Sequence, residues 1–342
     1  MHVSEATKNP TTNCGMPRRD APVFVIGCGR SGTTLLYHMI LSAGDFAVYR
    51  TESNAINLLE PRFGDLSVRR NRERLMKAWL DSKLFRVSGL NPEEIRAKVV
   101  AECTNGGNFL RIVMEEIARK QGVRRWADCT PEHLLHLPRI KETIPDALIV
   151  HIIRDARDVA LSTEKQGYIH PLPWDRTPRT MVAGLYWEWI VNRGRKDGRA
   201  LGQDYIEVHF EDLVADPPKV LARLGTFIDH DLDYDRILQV GIGSVSEPNT
   251  SFKENSEGKA FSPVGRWREK FSTQDLVMFE GLVGGTMEDV GYTLATTDRS
   301  ALERPDLKRM RAQYRVYFDS KLYLKAKTPL GPLMVTRDLS WL

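Results

Sequence analysis

The stretch PVFVIGCGRSGTTLL, residues 22–36, decides the fold. Its first half is an apolar, β-branched run, the composition of a strand buried on both faces. Its second half places Gly27 and Gly32 at the spacing of a phosphate-cradling loop, with Thr34 at the hydroxyl position that follows. The lysine of such loops is missing: Thr33 stands in its place, and the cation lies three positions earlier, at Arg30. A glycine-rich turn that opens a helix presents backbone N–H groups and a positive helix end to an anion. Ser31, Thr33 and Thr34 add hydroxyls, and Arg30 adds a permanently charged fork of donors. In nucleotide triphosphatases the lysine and Mg²⁺ share the neutralisation of a polyphosphate. Keeping the hydroxyls and dropping the lysine points to a less heavily charged ligand and no metal.

The alternation of strand and helix continues outward from this unit. ALIVHII, residues 147–153, is the clearest further strand, and DARDVALSTEK, 155–165, follows with an Asp start and helical spacing. Residues 125–129 read as a strand ending in a Thr-Pro turn, and 133–143 as an amphipathic helix. FAVYR, 46–50, is a short extended piece, and 68–121 has helical periodicity. A long helix is predicted over 178–199, a strand over 205–210, and helices over 216–228 and 273–290. Residues 241–265 are rich in Gly, Ser and Asn and read as a loop. This pattern predicts a three-layer α/β sandwich around a central parallel sheet, with helical insertions. The expected organisation is a flexible lead over 1–20, one domain over 21–295 and a basic helical extension over 296–342.

Composition narrows the class. The 342 residues are 42% apolar and 27% charged, enough for a full core. No apolar run is long enough to span a bilayer, and the polar N-terminus lacks a signal-peptide core. The four cysteines form no Cys-x2-Cys pair, which argues against a zinc or redox site and for a reduced, cytoplasmic setting. The net charge of +4 is concentrated at the end: residues 296–342 carry ten Lys or Arg against five Asp or Glu, leaving the body at −1. Such a balance gives no reason to expect a nucleic-acid partner. The basic tail reads first as a solvated helix packed on its own domain, and second as a contact for an anionic membrane surface.

A second motif joins the first. In LIVHIIRDARDVALST, residues 148–163, a strand delivers Arg154 to the sheet's C-terminal edge, where α/β folds bind ligands, and Ser162 follows about two helical turns later. Asp155, Arg157 and Asp158 read as cap and mutual ion pairs. GRSGTTLL together with Arg-Asp-x-Arg-Asp and the following Ser resembles the sulfotransferases that use 3′-phosphoadenosine 5′-phosphosulfate (PAPS), in particular the branch containing tyrosylprotein and related bacterial enzymes. The resemblance covers residues 22–295. It implies that Arg30, Ser31, Gly32, Thr33 and Thr34 hold the 5′-phosphosulfate, and that Arg154 and Ser162 hold the 3′-phosphate. NTSFKEN resembles the family's Thr-Ser-Phe segment, which would set Thr250, Ser251 and Phe252 against the adenine. VGRWREKF resembles its closing Gly-x-Trp-basic segment, making Arg266 a phosphate contact and Lys259 a weaker one. HFEDLVADP resembles its Tyr-Glu-Asp-Leu segment, with Phe210 in place of the tyrosine.

The resemblance implies transfer of a sulfuryl group from PAPS to a hydroxyl of a small-molecule, glycan or lipid acceptor, with a general base and no metal. Glu52, in YRTESNAIN, matches the catalytic glutamate of the tyrosylprotein branch. His133, in TPEHLLH, lies near the histidine base of cytosolic members, and Glu132 is a third candidate. One departure stands out: many relatives carry Lys just before Thr-Pro, and here that residue is Cys129. Arg30 alone, or a nearby base such as Lys165, would have to serve the leaving group. Tyr168, His170 and Trp174 are candidates for an acceptor wall. Two other readings are weighed, a P-loop kinase and a non-catalytic PAPS-binding protein. Nothing in the sequence decides between monomer and homodimer.

Overall fold

The computed structural model describes residues 17–167, 169–247, 263–297 and 299–335. Four parallel strands form one sheet: β1 (Val23–Gly27), β2 (Ala127–Asp128), β3 (Leu148–Ile153) and β4 (Tyr205–His209), in the order β2-β1-β3-β4. β1 lies at the centre, with Val23 opposite Ala127 on one side and Leu148 on the other. The chain leaves β1 for β2 on one flank and returns to β3 on the opposite flank. The loops after β1 and β3 therefore part company at the sheet's C-terminal edge, which is the crevice of a topological switch point.

Side chains alternate across the strands, so each strand serves two cores. Phe24, Ile26, Ile149 and Ile153 enter one apolar cluster, with Trp187 and Ile190 of helix Arg179–Arg199. Val23, Val25, Val150, Ile152 and Val208 enter the other, with Leu36 and Ile40 of helix Thr33–Ser42 and Leu221 and Leu224 of helix Pro217–Ile228. Helices cover both faces, the three-layer sandwich expected from the sequence. Residues 68–121 hold four helices, Arg69–Leu80, Lys83–Ser88, Pro92–Glu102 and Gly106–Gln121. FAVYR makes only an isolated bridge, Phe46 to Arg125, and the strand expected over 125–129 is two residues long. The helix expected from residue 133 begins as a 3₁₀ turn, Pro131–His136, before the α-helix Leu137–Thr143.

The basic extension contains helix Pro305–Lys327, whose Leu307, Tyr314 and Phe318 are buried in the same cluster as Phe24 and Trp187. The Tyr314 hydroxyl donates to Asp175 Oδ2 at 2.8 Å and accepts from the Leu172 N–H at 3.3 Å. Among the described residues no helix is long and apolar enough to cross a membrane.

One buried polar residue in the sheet couples the fold to pH. His151 on β3 is fully buried; its Nδ1 lies 2.7 Å from the Tyr205 hydroxyl, which donates to Glu207 at 3.0 Å. Nε2 has no partner. Burial pushes the imidazole down to about 3, so the folded chain keeps it neutral while the unfolded chain protonates it below about pH 6.5. Stability is therefore unaffected by this group above that pH and falls as pH drops. Urea unfolding at pH 7.5 and 5 should show a pH-dependent loss that is about 2 kcal/mol smaller in His151→Gln. Equal losses in the two proteins would exclude a buried neutral histidine as the cause.

Candidate active site

The loop after β1 is shaped by two contacts. Arg30 and Gly32 both have positive φ, 73° and 95°, and a Cβ on Gly32 would stand 2.3 Å from the Phe210 ring. Only glycine fits at that position. The Arg30 conformation costs about 1–3 kcal/mol in a residue with a side chain and has to be held by its surroundings. Gly32 caps helix Thr33–Ser42 without a side-chain bond, and the first turn holds no acidic residue. The helix end therefore keeps unsatisfied N–H donors and a positive dipole. Ser31 Oγ is buried with no partner.

The two motifs, more than a hundred residues apart in sequence, meet here. Arg30 Nε donates to Ser162 Oγ at 3.0 Å, and Arg154 Nη1 donates to the Arg30 carbonyl at 3.0 Å. Arg154 is 2% exposed and lies 4.4 Å above the Phe210 ring, with Nη2 on the Pro263 carbonyl and no partner for Nε. Burial lowers its guanidinium; Asp158 and Glu211 oppose this, and the neighbouring cations Arg266 and Arg30 add to it. Three guanidinium groups thus converge on one spot. Arg30, Thr33, Thr34 and Arg154 line a cleft of about 330 Å³ whose other wall is apolar, with Leu35, Met39, Leu213 and Tyr234. Thr250, Ser251, Phe252 and Lys259 lie outside the described residues.

The residues between the motifs act as scaffold. Asp155 caps its helix by accepting from the Arg157 N–H and pairs with the Arg157 guanidinium at 2.7 Å. Arg157 also pairs with buried Glu280 at 2.7 Å and lies 3.7 Å over the Trp267 ring. Asp158 departs from the expected ion pair: it accepts from the Gly265 N–H at 2.7 Å and the Trp267 N–H at 3.1 Å, which fixes the segment carrying Arg266. Trp267 is core. Glu211 is occupied by the Asp155 N–H and the Tyr292 hydroxyl. Phe210 and Glu280 were not singled out as contacts by sequence reasoning; only the aromatic preceding Glu211 signalled the first.

A second polar cluster faces the loop from β2. Asp128 is buried and accepts from Ser53, from the Thr130 N–H at 3.1 Å, from the Thr130 hydroxyl at 3.2 Å and from His133 Nδ1 at 2.7 Å. Burial pushes this carboxyl up, but His133, Ser53 and Thr130 together hold it below the usual carboxylate range. His133 Nε2 accepts from the Ile56 N–H at 3.4 Å, so Nδ1 carries the proton. The ring is fully buried and both nitrogens are engaged, which ties His133 to the scaffold instead of to an incoming acceptor. Glu52 is exposed on the segment that this cluster anchors, directly before Ser53. Glu132 is exposed at the rim, 3.3 Å from Asn57 Nδ2 and 3.8 Å from Lys325. Burial pushes the Cys129 thiol far up, Asp128 and Glu52 push it further, and the Thr33 and Thr34 side chains oppose them only in part. It is a neutral thiol at the base of the loop, with Glu52 close by. Lys165 is exposed on its helix, and Trp174 projects into solvent at 76% exposure.

In fold this chain is similar to the sulfotransferase domain of the Synechococcus PCC 7002 olefin synthase, at 21% identity and TM-score 0.49 over 92% of this chain and 98% of that one. It is similar to the sulfotransferase domain of the curacin biosynthetic pathway at 15% identity and TM-score 0.45, over 85% and 96%. A retinol dehydratase solved with androsterone and the inactive cofactor PAP matches at 18% identity and TM-score 0.38, over 82% and 84%. An uncharacterized protein of Aquifex aeolicus (strain VF5) is 24% identical over 310 residues, 78% of this chain, which spans 36% of that relative's length. The model of the Sulfotransferase family matches residues 22–234, a stretch that takes in the loop, β3 with Arg154 and Ser162, and more than half of the chain. This chain belongs to the sulfotransferase family.

Proposed function

We propose that the protein transfers a sulfuryl group from PAPS to an acceptor hydroxyl. The observation that carries this reading is the junction of the two motifs, Arg30 bonded to Ser162 and Arg154 bonded to the Arg30 carbonyl, at one cleft. Two anionic groups on one ligand suit two adjacent cationic patches. The loop amides, Ser31, Thr33, Thr34 and the Arg30 side chain serve the 5′-phosphosulfate. Arg154, Ser162 and Arg266 serve the 3′-phosphate. Phe210 keeps Arg154 in place, and the apolar wall suits a base. Thr250, Ser251 and Phe252 are kept as adenine contacts on the strength of the sequence resemblance.

PAPS supplies an activated sulfuryl group, and the protein's residues handle the charges around it. Glu52 takes the acceptor proton as the acceptor oxygen bonds to sulfur. The bond from sulfur to the bridging phosphate oxygen breaks, and the negative charge left on the nucleotide falls at the helix terminus and Arg30. Cys129 brings no charge to this step, so Arg30 and the helix end carry it. Glu52 is preferred to His133 because its carboxylate is exposed and close to Cys129 and the loop, whereas His133 is buried with both nitrogens bonded. Glu132 stands at the rim, paired with Lys325.

Calorimetric titration with 3′-phosphoadenosine 5′-phosphate should show micromolar binding that AMP and ATP with Mg²⁺ do not reproduce. Preference for ATP would favour a kinase and remove the PAPS reading. Arg154→Ala should weaken the binding by about 2–4 kcal/mol, and Ser162→Ala, which preserves packing, by about 1 kcal/mol. Unchanged affinity in both would displace the 3′-phosphate from this spot. With labelled PAPS and a panel of hydroxyl acceptors, Glu52→Gln should lower turnover about 10²–10⁴-fold at nearly constant nucleotide affinity. The same loss in His133→Asn with a wild-type melting temperature, and none in Glu52→Gln, would move the base to His133. Tight nucleotide binding with no transfer to any acceptor would favour a non-catalytic binder.

A further inference from the structure

The C-terminal helix is apolar on two sides. Its inner side, Leu307, Tyr314 and Phe318, is buried in the core. Its outer side carries Val316 and Tyr323 at 65% and 62% exposure, with Leu324 beside them. Val316 and Tyr323 are seven residues apart and so share a face, two turns apart along the axis. The following turn, Gly331–Met334, adds Leu330, Leu333 at 72% exposure and Met334. Among the described residues twelve large apolar side chains are exposed, and these six are half of them, gathered in nineteen positions. Scattered exposed apolar residues are ordinary on a protein surface, but a gathered set marks an interaction site.

The charge around this set is one-sided. Residues 307–335 contain seven Lys or Arg and a single acid, Asp319. That acid is already engaged, with Trp189 Nε1 at 2.9 Å and Arg193 at 3.3 Å. Arg309, Arg315, Lys321 and Lys327 are exposed on the same helix. By helical geometry Arg315 lies on one flank of the Val316 stripe, and Arg309 and Lys327 fall in line with it. An exposed apolar stripe framed by cations is the arrangement of a helix that lies in a lipid headgroup layer.

We infer that this face docks the protein on an anionic lipid surface, with Val316, Tyr323, Leu324, Leu330, Leu333 and Met334 entering the headgroup region and Arg309, Arg315 and Lys327 meeting lipid phosphates. The charge selects this occupant over a second copy of the chain. A two-fold contact through this face would set six net positive charges against six. The apolar centre selects it over a soluble polyanion, which would leave that stripe wet. The inference does not depend on the nucleotide or acceptor assignments.

Co-sedimentation of the full chain with vesicles tests it. Vesicles of phosphatidylcholine containing about one-third phosphatidylglycerol should bind the protein, pure phosphatidylcholine should not, and added salt should release it. Arg309→Glu with Lys327→Glu should weaken the association by about tenfold or more. Val316→Ser with Tyr323→Ser and Leu333→Ser should weaken it comparably, with the melting temperature and nucleotide affinity of both variants unchanged, since all five positions are exposed. No binding to the anionic vesicles would overturn the proposal, as would equal binding to both compositions or wild-type binding by both variants. A concentration-dependent dimer that the serine variant abolishes would assign the face to a second copy and overturn it too.

Discussion

A guanidinium with 2% exposure at the end of a parallel strand has to be held against the cost of leaving water, which runs to several kcal/mol. Arg154 meets that cost with the Arg30 and Pro263 carbonyls and the face of Phe210. These partners are dipoles and a ring; they bind the cation without cancelling its charge. The nearest carboxylates, Asp158 and Glu211, bond other groups and act on Arg154 only at a distance, against the neighbouring cations Arg266 and Arg30. The same side chain also ties together the loop after β1, the end of β3 and the segment at Pro263. The loop after β1 takes its shape in part from the Arg154 side chain.

The second polar cluster rests on a buried carboxylate. Asp128 gathers four donors from Ser53, Thr130 and His133, and a carboxylate so served is cheaper to bury than to protonate. Ser53 is the residue after Glu52. The position of the proposed base is thus set through its neighbour, by a network that begins on β2 and ends on the backbone of Ile56. Cys129 follows Asp128; burial, Asp128 and Glu52 all push its thiol up, so the group at this position carries no charge.

Much of this was legible because the signals were local. An apolar run buried on both faces reads as a central strand without knowledge of its neighbours, which is why β1 and β3 were placed residue by residue. Gly27 and Gly32 declared the loop by spacing, and Asp155 declared the next helix as its cap. Partnerships across long separations were not legible. Nothing in DARD says that Asp158 holds backbone 107 residues away, and nothing in TPEH says that a 3₁₀ turn brings His133 back onto Asp128. FAVYR has the composition of a strand but only the bridge at Phe46, because β2 beside it is two residues long and offers little edge to pair with. The short π-helical turn Ala55–Leu59 after left-handed Asn54 likewise has no sequence signature.

The C-terminal helix was obscure for a different reason. An amphipathic helix announces itself by contrast between one apolar face and one polar face. Helix Pro305–Lys327 sets Leu307, Tyr314 and Phe318 inward and Val316 and Tyr323 outward, so its apolar residues oppose one another around the axis and the contrast vanishes. Such a pattern reads as a solvated basic helix packed on its own domain. The inner face does reach the main core, Tyr314 fixes the loop at Leu172 and Asp175, and Lys325 reaches Glu132. Burial of the inner face does not account for exposed Val316, Tyr323 and Leu333, which the proposed lipid surface would cover.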